Sequence, residues 1–304
     1  MRGPAVRVAA QAKLNLHLRI LAREESGFHS LETIFHRIDL SDDILIEITG
    51  RETTLDVQGT DVGPPEKNLA WRAATAYAEH TGWPRGFRIE LTKRIPVGAG
   101  LGGGSADAAA VLRSLNFMSP DPMGVAGLLR LAATLGSDVP FLASDAVMAL
   151  AWGRGERMLS LPPLPRNDLL LMSPDFSVST ADAYRWLDED RASREDAQLH
   201  MEAEKDVSES IVIDEVDLST WASIGRFARN DFEGPVTRRY PQLREYLERL
   251  RGSRSIFSAM TGSGSTIFGV LDTPPHYAKV PQEHRERVTT TKTAIDVVQP
   301  VRVG

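Results

Sequence analysis

The chain has 304 residues, 42% of them hydrophobic and 25% charged, with a formal net charge of -6 and no cysteine. This is the composition of a folded globular protein able to bury one large core or two ordinary ones, and it excludes a disulfide framework, a thiolate nucleophile and any cysteine-based metal site. The acidic balance argues against nucleic acid as a partner, and the lack of an apolar run near the ~20 residues of a membrane span, or of a secretory signal in "MRGPAVRVAA", sets the expectation of a cytoplasmic protein with no membrane partner.

From the N-terminus, "KLNLHLRIL" (13–21) alternates Leu14, Leu16, Leu18 and Ile20 with Lys13, Asn15, His17 and Arg19. This is the period of two of a half-buried strand, with Lys13 and Asn15 on one polar face. "DDILIEI" (42–48) and "FRIELTKRI" (87–95) are further predicted strands, with a helix over 68–82 between them that stops at Gly82. Helices are predicted over 105–116 and 123–136, the second closed by Gly136 before "SDVPF". "VMALAW" and "DLLLMS" are expected strands, and "STADAYRWL" (179–187) begins a helix capped by Ser179 or Thr180. Residues 188–210 are crowded with charge and read as a mobile connection. "DFEGPVTRRYPQLREYLERL" (231–250) reads as helix despite two prolines, 255–271 as two strands around a glycine-serine turn, and the tail after Leu271 as one final strand. The class is α+β, with a boundary expected near 155–170.

His29, Glu32 and His36 form HxxExxxH, which on a helix would suggest a metal site. The segment "LETIFHRIDL" is rich in strand formers, and residues seven apart on a strand point to opposite faces, so the metal reading is rejected.

The loop "PVGAGLGGGSADAAA" (96–110) has glycine at five of the seven positions from Gly98 to Gly104, directly before the helix predicted from Ser105. It is not a Walker A loop, because Gly104 stands where GxxxxGK[ST] needs lysine. Gly98, Gly100 and Gly103 satisfy GxGxxG, but the dinucleotide fold wants that after its first strand with an acidic residue ~20 positions on at a strand end, and Asp121 lies in a turn. What remains is general physics: glycines let backbone amides approach an anion, and the helix adds the positive end of its dipole. A valine at Gly103 could not take positive φ and would block that approach.

The same loop resembles the ATP-binding signature of the GHMP kinases. "AKLNLHL" (12–18), "GFHSLETIFHRIDLSD" (27–42) and "GSDVPFL" (136–142) are similar to the branch of that superfamily acting on a cytidylated methylerythritol in non-mevalonate isoprenoid synthesis. "NDFE" (230–233) and "MTGSGSTIFGV" (260–270) match later motifs, so the resemblance covers most of residues 5–271. It implies a two-domain α+β GHMP kinase fold, with an N-terminal ribosomal-protein-S5-domain-2-like domain over 1–160 and a C-terminal ferredoxin-like α/β sandwich over 161–304. The implied activity is transfer of the γ-phosphoryl group of ATP, which carries Mg2+, to the 2-hydroxyl of that small-molecule substrate, by a monomer or homodimer.

On this resemblance Pro96, Val97, Gly98, Ala99, Gly100, Leu101, Gly102, Gly103, Gly104 and Ser105 hold ATP, with Ser105 on the magnesium by analogy with P-loop serines. Asp138 is implied as the base for the substrate hydroxyl, on a turn that Pro140 keeps from continuing as helix; from the residues alone a helix cap is an equal reading. Lys13 is implied as its partner, keeping the carboxylate ionised and offsetting charge in the transition state, where a lysine on such a strand is ordinarily just solvated. Asn15, Phe28 and His29 are implied on the substrate side, the ring stacking on cytosine and the histidine bonding its edge. The family's common residue at position 28 is tyrosine, so Phe28 keeps the ring and loses a hydroxyl. Gly262, Ser263 and Gly264 are implied as a second glycine turn supporting the first loop and the substrate phosphates, where a plain hairpin turn is the simpler reading. Two alternatives remain from sequence: a GHMP kinase acting on a sugar, homoserine or a mevalonate, and a catalytically silent ligand-binding relative.

Overall fold

The computed structural model describes residues 3–23, 29–60, 62–153, 155–199, 214–252, 255–272 and 288–303. Its spine is an antiparallel ribbon of β1 (Ala5–Arg23) and β2 (His29–Thr49), each far longer than the ~5–6 residues of an ordinary strand. Register shifts at Gln11/Lys13, Asn15/His17 and Ile20/Arg23 let so long a ribbon bend. The two halves of β2 therefore meet different neighbours. Residues 43–49 pair with β4 (Gly86–Thr92), and residues 31–36 pair with β5 (Met148–Gly153). β3 (Thr53–Gln58) runs parallel to β4, with α1 (Leu69–Thr81) as the crossover, and β6 (Arg157–Leu161) pairs with β5.

Helix α2 (Gly103–Met118) packs on this sheet, and α3 (Val125–Ala133) and α4 (Val139–Ala143) pack in turn on α2 and on each other. Every residue of α2 from Ala106 to Leu115 is buried, its run of alanines allowing close contact with α1, α4 and the sheet. The second unit is a four-stranded antiparallel sheet of β7 (Asp168–Met172), β8 (Ser255–Met260), β9 (Ile267–Leu271) and β10 (Val288–Lys292), in the order β10-β7-β9-β8. With it go α5 (Thr180–Leu199), α6 (Trp221–Phe227), α7 (Glu233–Arg239) and α8 (Pro241–Arg251). Two hydrophobic cores result, and β1 serves both: Leu14 and Leu16 sit in the first, Leu18 and Ile20 in the second. The cleft between the units opens where β1 passes from one core to the other.

Several expectations are revised. Lys13, Asn15 and His17 are buried along with the leucines, because the polar face of β1 is covered by the glycine loop and by the second unit. The helix predicted over 231–250 is two, broken at Tyr240, since Pro241 suits a first helical turn that needs no amide hydrogen. Pro140 likewise opens α4 instead of stopping a helix. The helix after the glycine loop starts at Gly103, ahead of Ser105, and the helix predicted to 136 ends at Ala133.

Residues 188–199 of the expected mobile stretch are helix, tied down by Arg239 to Glu189 and Arg238 to Asp190, while 200–210 fall outside the described residues. Among the described residues the tail holds two strands. The last, β11 (Val301–Val303), joins the open edge of β1 at residues 5–7, so the span 161–304 returns to the first unit at its end. β3, β6 and α6 were not foreseen.

Candidate active site

Lys13 lies where β1 crosses the cleft, and its side chain is 3% exposed. Its ammonium donates to Asn15 Oδ1 at 2.6 Å and Gly100 O at 2.9 Å and forms an ion pair with Asp138 Oδ2 at 3.3 Å. A buried ammonium is tolerable only with such a set and a counter-charge. Asp138, 26% exposed, stands at the N-cap position of α4 without capping it. Of the two readings left by the sequence, the carboxylate thus turns to Lys13 and the cleft. Asn15 spans the region beneath, accepting from Lys13 and donating Nδ2–H to Thr33 Oγ1 at 2.8 Å, while its amide donates to Thr261 Oγ1 at 3.0 Å.

In the glycine loop, Gly98, Gly100 and Gly102 have φ of 69°, 81° and 73°, and Ala99 and Leu101 between them are buried anchors. The anchors are pinned by the Leu101 carbonyl accepting from the Lys13 amide and the Ala99 carbonyl accepting from the Thr266 amide, both at 3.1 Å. A Cβ on Gly100 would lie 2.3 Å from Thr261 O, and one on Gly102 would lie 2.9 Å from Lys13 Cε. Gly103 is helical, contrary to the positive φ expected of it; what a side chain there would meet is Ile95 Cγ2 at 3.0 Å. Pro96 and Val97 lead in, Val97 exposed.

The first intrahelical bond of α2 runs from the Ala106 amide to Gly102 O, so the amides of Gly103, Gly104 and Ser105 precede it without a side-chain cap. Amides left free in a first helical turn are able to bind an anion. Gly262 and Gly264, at φ 58° and 91°, press the second glycine turn against Gly100, and Ser263 lines the same cavity. Asn230 of "NDFE" holds that turn by donating to Met260 O and Gly262 O at 2.8 and 2.9 Å.

Beneath the loop, Lys93 bridges Asp42 and Asp107, all three almost wholly buried. Burial works against the charge on Lys93, but the two carboxylates outweigh it and raise its pKa. Two carboxylates share one ammonium, and burial pushes the Asp107 carboxyl up to about 8.

The cavity over Lys13 and Asp138 has a volume of 280 Å³. It adjoins a larger one of 1410 Å³, lined by His29, Tyr184, Asp188 and the 133–137 turn among others. His29 Nε2 lies 3.0 Å from Asp188 Oδ1, and its ring stacks on Tyr184 at 4.7 Å. Burial, with Asp138 nearby, raises the Tyr184 phenol above its usual range. Phe28 lies outside the described residues. His29, Glu32 and His36 diverge: His36 packs on Trp221, and Glu32 faces His17.

The residues so assembled are Lys13, Asn15, Asp138, the two glycine turns and, one cavity away, His29. Sequence reasoning missed Thr33, Thr261, Tyr184 and Asn230. Asn230 and Thr261 sit inside quoted motifs, whereas Tyr184 gave no signal beyond being aromatic in a predicted helix.

The GHMP kinases N terminal domain family matches residues 68–149, and the GHMP kinases C terminal family matches residues 212–288. A 4-diphosphocytidyl-2-C-methyl-D-erythritol kinase of Pelotomaculum thermopropionicum is 36% identical over 289 residues, covering 93% of this chain and 96% of its own. One from Moorella thermoacetica is 38% identical over 288 residues, covering 93% and 97%. A crystal structure of 4-(cytidine 5'-diphospho)-2C-methyl-D-erythritol kinase superposes with a TM-score of 0.72 at 34% identity, over 94% of this chain and 98% of that one.

Proposed function

The chain belongs to the 4-diphosphocytidyl-2-C-methyl-D-erythritol kinases of the GHMP family, and on that premise we propose how its cleft carries out the transfer. The enzyme is a transferase that phosphorylates the 2-hydroxyl of 4-diphosphocytidyl-2-C-methyl-D-erythritol with ATP, on the non-mevalonate route to isoprenoids.

The observation that carries the assignment of roles is the Lys13–Asp138 pair, a buried ammonium against a carboxylate that faces the cleft. Asp138 takes the hydroxyl proton as the alcohol oxygen bonds to the γ-phosphorus and the bond to the departing ADP breaks. Lys13 offsets the charge that develops between them. The amides of residues 98–105 hold the phosphate chain, which the positive-φ glycines allow to approach the backbone closely. Asn15 orients Lys13, and Gly262, Ser263 and Gly264 brace the loop from the opposite unit.

On the substrate side, the ring of Tyr184 and the edge of His29 suit a planar base that is stacked on one side and hydrogen-bonded at its rim. Phe28 is assigned to the same base.

A magnesium ion fits this site as part of the nucleotide. Ser105 offers a hydroxyl in the first turn of α2, and the nearest carboxylate on that helix, Asp107, is committed to Lys93, so a protein cage is not on offer. Ser105 would be the side chain nearest to such an ion, which would offset the negative charge of the phosphate chain. The nucleotide side is assigned to the unit over 1–160 and the alcohol side to both units, Asn15, Phe28 and His29 from the first and Tyr184 with the 262–264 turn from the second, with the cytoplasm as the site of action.

ADP release measured with 4-diphosphocytidyl-2-C-methyl-D-erythritol, homoserine, mevalonate and galactose in parallel tests the reading. Turnover confined to the first is expected, and faster turnover of any other would replace it.

A further inference from the structure

We infer that Arg37 is a positioning residue, holding the far end of α4 so that Asp138 at the near end meets Lys13 and the substrate hydroxyl. The inference rests on the reading of Asp138 as the base.

Arg37 is 2% exposed and among the largest fully buried side chains. Among the described residues no carboxylate lies within ion-pairing distance of it. Its guanidinium is committed instead to backbone carbonyls at the C-terminal end of α4 and the turn that follows. Nε donates to Ala146 O at 2.9 Å, and Nη2 faces Phe141 O and Leu142 O at 2.9 Å and Ser144 O at 3.0 Å. Of these, Leu142 O is a carbonyl that the helix end leaves without an intrahelical partner, whereas Phe141 O also accepts from the Ser144 amide at 3.2 Å and the Ser144 hydroxyl at 2.7 Å. The backbone of Arg37 is gripped as well, donating to Val147 O at 2.9 Å and accepting from the Ala294 amide at 3.1 Å.

The register of the ribbon links this to the chemistry. Lys13 and Arg37 are direct partners across β1 and β2, so two cations on one rung hold the two ends of the same five-residue helix. The rings between them form a continuous stack. The Lys13 ammonium is 5.8 Å from the Phe35 ring, Phe35 stacks on Phe141 at 4.9 Å, and the Arg37 guanidinium is 5.1 Å from Phe141.

Burying an arginine without a paired carboxylate is expensive, and here burial pulls its pKa down to about 9. The helix is already ended by Ser144, whose hydroxyl donates to Phe141 O at 2.7 Å, so the guanidinium is not needed merely to terminate it. What the guanidinium adds is a rigid planar fork that fixes four carbonyls at once relative to the strand bearing Lys13.

The test is steady-state kinetics on the full chain, with ATP and the cytidylated alcohol varied in turn and turnover counted per folded nucleotide-binding site. Arg37→Lys keeps the charge and loses the fork; kcat is expected to fall about tenfold with both KM values within about twofold, since a misplacement of ~1 Å can cost ~10²-fold. Arg37→Met should lose about 10²-fold in kcat by the same reasoning. A residue that served only the fold would lower Tm and leave kcat per folded site alone, so a kcat for Arg37→Lys within about twofold of the parent overturns the inference, whether or not Arg37→Met folds.

The second arm places Arg37→Lys on an Asp138→Asn background. Little further loss, under about twofold, is expected if Arg37 acts through Asp138, and a repeated tenfold loss overturns it. If Asp138→Asn alone keeps more than about a tenth of turnover, the base reading fails and Arg37 has nothing to position. If Asp138→Asn loses turnover as expected and Arg37→Lys keeps kcat within about twofold of the parent, the inference alone fails.

Discussion

Asp138 occupies a helix N-cap position and does not cap, which forgoes roughly 1 kcal/mol of helix stability and leaves the carboxylate free to face the cleft. Asp138→Asn removes the proton acceptor and no phosphate donor. It is expected to lower kcat by ~10²- to 10⁴-fold with the Kd for ATP little changed, as measured by turnover and calorimetry; a variant keeping more than about a tenth of turnover refutes the role. His29 is a different kind of residue, held by Asp188 and stacked on Tyr184 away from the reacting atoms. His29→Ala should raise the KM for the cytidylated substrate by roughly 5- to 150-fold, the cost of an unpaired buried hydrogen-bond partner, and leave the KM for ATP in place. Equal KM values in parent and variant, on protein checked by thermal melt, would remove the base from this wall. At this scale Lys13 and Asp138 were legible only through the family motifs, because from the residues alone a solvated lysine and a helix-capping aspartate read equally well. Thr33 and Thr261 were not legible, since a threonine oxygen bonding Asn15 is indistinguishable in sequence from one facing water.

The glycine loop works as an element, with its even positions at positive φ and its odd ones buried. Gly102→Ala combines left-handed strain with a contact at 2.9 Å to Lys13 Cε, so it should lower both Tm and kcat. Gly104→Ala, in the first turn of α2 with only Leu69 Cδ1 near at 3.4 Å, should leave Tm unchanged or raise it. A Gly102→Ala as stable as Gly104→Ala would count against the φ argument.

The β1–β2 ribbon makes a separate prediction, because it buries two histidines, His17 and His36, whose pKa values burial lowers from 6.5 to about 4. Neither Nε2 has a hydrogen-bond partner among the described residues. Between those values the unfolded chain binds more protons than the folded one, so stability rises with pH through that window and is lost as pH falls below 6.5 toward 4. The loss is on the order of 3 kcal/mol per histidine at the acid limit. Urea unfolding at pH 7, 6 and 5 should show a shallower fall for His17→Leu than for the parent, each pH unit being worth about 1.4 kcal/mol per group. Parallel slopes would assign the acid loss elsewhere.

At the scale of the molecule, the chain closes on itself. After β10 the tail crosses back, Gln11 Nε2 donating to Asp296 O across 285 residues and Gln11 Oε1 accepting from the Val298 amide, before β11 docks on β1. Arg113 on α2 ties the strap down by donating to Val298 O and Gln299 Oε1, both at 2.9 Å. Arg113→Met is therefore expected to cost about 1–3 kcal/mol in chemical denaturation with both KM values unchanged, and a stability equal to the parent's would show the strap to be passive.

The sequence by itself determined the class and most strands and helices, because period and turn chemistry are local properties, while family motifs alone pointed to Lys13 and Asp138, which the structure brings within 3.3 Å of each other. Only the tertiary structure decided what covers the polar face of β1, that Asp138 does not cap its helix, and that Arg37 grips the other end of that helix. It also decided that the last strand belongs to the first sheet. Periodicity says which side chains share a face, but not which distant segment lies against it, and each of these outcomes depends on contacts between residues far apart in the chain.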